Sequence, residues 1–213
     1  MFEALADHLG EVRERIAEAG RDPASVRILA VTKTFGIEAV QAAWAAGIEA
    51  VGENYLVELE AKRPGDVSGV RWHYLGALQT NKIARISVMA DVISGVSRAK
   101  ELDKLASLGS TAQLDIQVDT TGLSQRNGAP ASEVLGLVRY ARSLGLTVRG
   151  LMTVAPPDPE GAREAFMLVQ RLADEAEVTE RSMGMSDDYL LAAELGSTEV
   201  RLGRLLFGPR HYS

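Results

Sequence analysis

Ile28-Leu29-Ala30-Val31 is an unbroken apolar run, closed by Thr32, Lys33 and Thr34. A run this short and apolar reads as a strand covered on both faces, as in a parallel sheet. From Gly36 onward the chain reads as a turn and then a helix. A lysine at the carboxyl end of such a strand stands where α/β sheets, open or closed, bind their ligands. Partial burial lowers the pKa of an ammonium, because desolvation disfavours the charged form. A lysine held that way attacks carbonyls and forms Schiff bases. The alternative is a lysine that snorkels to the surface at a strand end.

Outward from Lys33 the chain alternates strand and helix. A helix at about 2–19 carries Phe2, Leu5, Leu9, Val12 and Ile16 at helical spacing, with Glu3, Asp7, Glu11, Glu14 and Glu18 interleaved. It reads as an amphipathic helix packed on the domain, not as a signal peptide. After the Lys33 strand come a helix near 37–46, a short strand ending at Val51 and Gly52, and a helix from Tyr55 to Lys62 closed by Pro64-Gly65. Strands are expected at Trp72–Leu75, Asp91–Ser94, Ala112–Val118, Val148–Met152, Arg181–Met183 and Thr198–Leu202, with a helix between each pair. Asp119–Pro130 is the longest loop, rich in Gly, Asn and Ser. Arg181 interrupts its strand and makes it the weakest of the set. Repeated βα units imply a parallel sheet with right-handed crossovers. Eight units favour closure into a (β/α)8 TIM barrel, with an open doubly wound sheet as the alternative.

The 213 residues suffice for one sizeable core and lie near the small end for such a barrel. No low-complexity linker divides them, so residues 1–213 read as one domain. With 46% apolar and 24% charged residues, the composition is that of a globular protein. A formal charge of −6 argues against nucleic acid as a partner. No apolar run approaches the ~18 residues of a membrane span. Without cysteine there is no disulfide and no thiolate chemistry, which fits a reducing compartment such as the cytoplasm. His8, His73 and His211 are scattered without metal-ligand spacing.

In barrels of this type phosphate often binds in the loops after strands seven and eight. Ser182-Met183-Gly184-Met185-Ser186-Asp187-Asp188 follows the seventh strand here. Its small residues let backbone N–H groups approach an anion, and Ser186 adds a hydroxyl. After the eighth comes Val200-Arg201-Leu202-Gly203-Arg204. Gly203 again permits close approach, and Arg201 can project into the barrel mouth. Each segment alone is an ordinary helix start. Together, a phosphate site, a lysine and an arginine facing one cavity are the parts that hold pyridoxal phosphate.

Six motifs lie in order along nearly the whole chain. They are Ala30-Val31-Thr32-Lys33-Thr34, Gly52-Glu53-Asn54-Tyr55, Trp72 through Lys82, Arg149-Gly150-Leu151-Met152, Ser182 through Asp188, and Val200-Arg201-Leu202-Gly203. In this order and spacing the chain resembles the pyridoxal-phosphate homeostasis proteins, the small single-domain YggS/PROSC family. The resemblance implies a barrel like the N-terminal domain of alanine racemase, with Lys33 as the Schiff-base lysine. It implies that Ser186 and the backbone around Gly203 and Arg204 hold the phosphate. It places Arg201 beside the pyridine nitrogen, with Asn54 and His73 lining the cavity. The sequence departs from the family where Arg204 replaces a small hydroxyl residue, where Ala77 replaces proline, and in the loop Thr120–Gly128, which carries Arg126 in place of lysine.

Several of these residues have ordinary readings as well. His73, beside a tryptophan on a strand, reads as a hydrogen-bonded core residue or as a cavity residue. Glu53 is either a general acid–base or a cap for the Tyr55 helix. Asp187 and Asp188 suit the positive end of their helix. Lys82 is an ordinary helix residue or a second amine near the cavity.

Pyridoxal phosphate works as an electron sink. An arginine beside the ring nitrogen disfavours a second positive charge there and weakens the sink. The second acid–base group of alanine racemase comes from a partner's second domain, for which this chain has no room. The expectation is therefore a cofactor carrier or buffer with little or no turnover, and no catalytic residues are assigned. The alternatives are an amino-acid racemase and a Schiff-base aldolase barrel without cofactor. The expected partners are pyridoxal phosphate and, as recipients, the apo-enzymes that use it. The chain is expected to be a monomer, bound neither to nucleic acid nor to membrane.

Overall fold

Among the described residues of the computed structural model, 2, 4–65, 69–122 and 127–208, there are nine strands. They are β1 (Arg27–Val31), β2 (Ala50–Glu53), β3 (Arg71–Tyr74), β4 (Val92–Val96), β5 (Gln113–Asp119), β6 (Ala129–Pro130), β7 (Val148–Thr153), β8 (Glu180–Ser182) and β9 (Glu199–Leu202). Every pairing is parallel. The order runs β4-β3-β2-β1-β9-β8-β7-β5, and β4 pairs with β5 to close the ring. The result is a (β/α)8 barrel of eight strands. The ninth, β6, is a two-residue addition on β5, with Val118 opposite Ala129. It corrects the reading of Asp119–Pro130 as loop throughout. Arg126 of that loop, and His211, lie outside the described residues.

The helices are α1 (Leu5–Glu18), α2 (Ile37–Ala45), α3 (Leu56–Lys62), α4 (Ile83–Met89), α5 (Ala99–Ser107), α6 (Ala131–Ser143), α7 (Pro159–Glu175), α8 (Tyr189–Glu194) and α9 (Arg204–Phe207). They bury one stripe each against a contiguous core that includes Trp72 and Phe166, both fully buried. In α1 that stripe is Leu5, Leu9, Val12 and Ile16. The helix lies against α8 and α9. Phe2, just before it, meets Phe35 and Phe207 edge-on, with ring centroids 5.8 and 5.3 Å away. The aromatic trio ties the chain's start to the loop after β1 and to α9. No helix among the described residues is long and apolar enough to cross a membrane.

Strand β8 forms despite Arg181. Its guanidinium leaves the barrel and donates to the Gly196 carbonyl at 2.8 Å, while Ser182 is buried. Helix α8 starts two residues later than its composition suggests. The Met185 N–H donates to Asp188 at 2.6 Å and closes a turn over Ser186–Asp188. Gly184 opens that turn with φ +99°, where a Cβ would also lie 2.6 Å from the Ala192 Cβ. Glycine is required on both counts.

Candidate functional site

A cavity of about 610 Å³ opens at the carboxyl end of the barrel. β1 supplies Val31 and, just past its end, Lys33; β2 leads to Asn54, and β3 to Leu75. Gly52 leaves room for Leu75, since a Cβ there would stand 2.6 Å from the Leu75 Cδ1. Met152 and Val154 come from the end of β7, Ser186 and Asp187 from the turn after β8. Arg201, Gly203 and Arg204 come from β9 and the start of α9. Six residues expected at a common site, Lys33, Asn54, Ser186, Arg201, Gly203 and Arg204, thus share one cavity.

Arg201 is buried and fixed. Its Nη1 donates to the Ser182 carbonyl and, at 3.1 Å, to the Ser182 hydroxyl. Nη2 donates to the Thr153 carbonyl at 2.6 Å. The Arg201 N–H donates to the Gly184 carbonyl at 2.9 Å, which seats the turn after β8 on β9. Burial lowers the guanidinium's pKa from a value so high that it stays charged.

Gly203 caps α9 with φ −119°, a conformation open to any residue. Its value at the site is the absence of a side chain. The first N–H groups of a helix have no partner within it and are free to meet an anion. Arg204 lines the cavity with its side chain about half exposed. It pairs with Asp187 at 2.5 Å, bridging the loop after β9 to the turn after β8. Asp187 thereby has a role that helix polarity did not suggest. Asp188 holds the Met185 N–H, and burial raises its pKa above the usual carboxylate value.

His73 does not line the cavity. It is buried in the barrel interior one layer below Leu75, with Nδ1 3.8 Å from the Glu199 carboxylate. Side chains two apart on a strand share a face. Leu75 at the rim therefore puts His73 beneath the floor. Burial pushes its pKa down to about 3, so it is neutral. Its layer is a charged network that single-residue reading missed. Arg149 grips Asp115 with two nitrogens at 2.8 and 3.0 Å and reaches Glu199 at 2.9 Å. The Ser94 hydroxyl donates to Asp115 at 2.8 Å.

Glu53 is neither a cap nor a cavity residue. It is fully buried and paired with Lys62 at 2.7 Å. Lys82 precedes α4 and lies outside the cavity, in a shallow depression with Tyr74, Gln79 and Arg85. Among the described residues no three His, Asp or Glu side chains gather as a metal site.

The comparisons with known proteins agree with this geometry. The sequence profile described as "Alanine racemase, N-terminal domain" matches residues 3–211. A pyridoxal phosphate homeostasis protein of Pseudomonas aeruginosa is 34% identical over 98% of this chain and 96% of its own length. Its counterpart in Deinococcus radiodurans is 36% identical over 93% and 97%. PipY of Synechococcus elongatus, solved with pyridoxal phosphate bound, superposes with a TM-score of 0.82 at 30% identity, covering 96% of this chain and all of PipY. With its barrel, its full-length match and its motifs in order, the chain belongs to the alanine racemase N-terminal domain family, among the pyridoxal phosphate homeostasis proteins.

Proposed function

We propose that this chain binds pyridoxal 5'-phosphate at the open end of its barrel and carries or buffers it, with little or no turnover. The observation that carries the reading is the convergence of the strand-end lysine with the loops after β8 and β9 in one cavity. The residues fit the group. Lys33, Arg201 and Arg204 face the cavity against one carboxylate, Asp187, a balance that suits a phosphate dianion. Val31, Leu75, Met152 and Val154 offer apolar surface to a ring. The names of the relatives and the cofactor in PipY support the same reading.

When bound, pyridoxal phosphate supplies an aldehyde for an amine and a ring that takes up electron density. Lys33 would hold the aldehyde. The Ser186 hydroxyl and the backbone N–H groups at Gly203 and Arg204 would hold the phosphate. Asn54 would fix the ring's edge. Arg201 would face the ring nitrogen, and its fixed charge disfavours a proton there. Racemisation needs an acid–base group on each face of a substrate. Asp187 is the sole carboxyl among the described residues lining the cavity, and Arg204 engages it. Nothing in that lining therefore opposes Lys33 as a second proton carrier. Transfer to apo-enzymes in the cytoplasm, by a monomer, follows as the physiological reading.

Titration with pyridoxal phosphate should give a near-ultraviolet to visible band that survives gel filtration and declines when an apo-enzyme is added. Incubation with L- or D-alanine should give no racemisation. Turnover at the ~1–10³ s⁻¹ typical of enzymes would instead establish the racemase alternative.

A further inference from the structure

Glu53, in the Gly52-Glu53-Asn54-Tyr55 motif, has no place in the cavity. It ends β2 fully buried, beneath α3. Lys62, at the last turn of α3, is only 5% exposed. Its ammonium donates to the Thr32 carbonyl at 2.8 Å, to Glu53 Oε1 at 2.7 Å and to Glu58 Oε2 at 3.1 Å. The Thr32 hydroxyl donates to the same Glu53 oxygen. Glu58 Oε2 accepts the Thr34 N–H at 2.8 Å. The cluster therefore holds the backbone on both sides of Lys33.

Thr34 needs that hold. Its φ is +71°, in the left-handed region that a β-branched residue rarely enters. Such a conformation persists only where its surroundings fix it. A buried ammonium is costly unless its three hydrogens find acceptors, and these three acceptors use them. An apolar side chain would fill the space beneath α3 without that cost, but it could not grip the chain beside Lys33.

We propose that Lys62, Glu53 and Glu58 are positioning residues for Lys33, fixing the strand end so that its amine projects into the cofactor cavity. The inference rests on the cofactor reading above and assigns residues outside the cavity that govern it. Burial raises the Glu53 pKa to about 7 against the pull of Lys62, and no donor reaches its Oε2. The charged groups facing Glu53 are Lys62 and Glu58, and Lys62 bridges the two carboxylates.

The test compares cofactor affinity, and the rate of borohydride fixation at Lys33, in the full chain and three variants. Lys62→Met should bind pyridoxal phosphate about tenfold more weakly than wild type, equivalent to ~1.4 kcal/mol, while unfolding cooperatively. Glu58→Gln, which keeps the volume and weakens the acceptor for Thr34, should shift affinity the same way and decides the matter if Lys62→Met does not fold. Glu53→Gln keeps the volume but gives Lys62 and the Thr32 hydroxyl a weaker, uncharged acceptor, and it should weaken affinity in the same direction. Folded Lys62→Met and Glu58→Gln proteins that bind like wild type would overturn the positioning role. A wild-type protein that binds no cofactor would overturn the cofactor reading itself, and the positioning role with it.

Discussion

Arg201 and Ser182 are joined twice: the guanidinium donates to both the carbonyl and the hydroxyl of the serine. With its bond to the Thr153 carbonyl, Arg201 ties the ends of β7, β8 and β9 together at the cavity. Arg201→Gln keeps a donor, removes the charge and leaves one carbonyl short of its partner. It should cost about 1–3 kcal/mol, the price of an unmet buried acceptor, measured by urea unfolding. Losing the charge should also raise slow side reactions with amino acids in the cofactor-loaded protein. A loaded variant as inert as wild type would remove Arg201 as the brake on turnover.

The two loops proposed to hold the phosphate should contribute unequally. Ser186→Ala would remove one hydrogen bond to a charged group, worth ~1.5–3 kcal/mol, and leave the backbone donors in place. Gly203→Val puts a branched side chain where the backbone is proposed to meet the anion, and it should weaken retention more. Equilibrium dialysis of pyridoxal phosphate ranks the two. Retention by Gly203→Val equal to wild type would place the phosphate elsewhere.

Arg204 and Asp187 form an exposed pair across the mouth, with side chains 55% and 85% accessible. Such pairs contribute ~0–1 kcal/mol to stability, so Asp187→Asn should leave the unfolding midpoint almost unchanged. It frees Arg204 for the phosphate and should tighten cofactor binding at low salt, an advantage that fades as salt screens the charge. Affinity measured at two ionic strengths checks this. A loss of affinity in Asp187→Asn would mean that the bridge itself shapes the mouth.

His73 makes the barrel sensitive to acid. Its folded pKa is held at about 3, below the usual 6.5. Between those values the unfolded chain binds a proton that the folded chain refuses. This contribution to stability is therefore present above pH 6.5 and is lost as pH falls towards 3. His73→Gln should lose less stability than wild type between pH 7 and pH 5, by urea unfolding at each pH. Equal losses would place the acid sensitivity in other groups.

Much of this fold can be read from its residues, for identifiable reasons. β1 is covered on both faces and therefore uniformly apolar. α1 carries a clean helical stripe because one side alone meets the core. β6 escaped notice because two residues in a Gly- and Pro-bearing stretch have no periodicity; their pairing with β5 is a tertiary event. Lys33, Asn54, Ser186, Arg201, Gly203 and Arg204 were legible because a barrel gathers its strand ends at one rim. His73 was misplaced by one layer, since strand phase shows which face a side chain takes but not how deep it lies. The Glu53–Lys62 pair was invisible because nine residues and a turn separate its members, and no local pattern links a strand end to the far end of the next helix.

The carrier reading stands on one bond. Loading with pyridoxal phosphate, reduction with borohydride, digestion and mass spectrometry should place the pyridoxyl group on Lys33, and Lys33→Ala should abolish the labelled peptide while the barrel still folds. Labelling of Lys82 or another lysine instead, with Lys33 unmodified, would contradict the account.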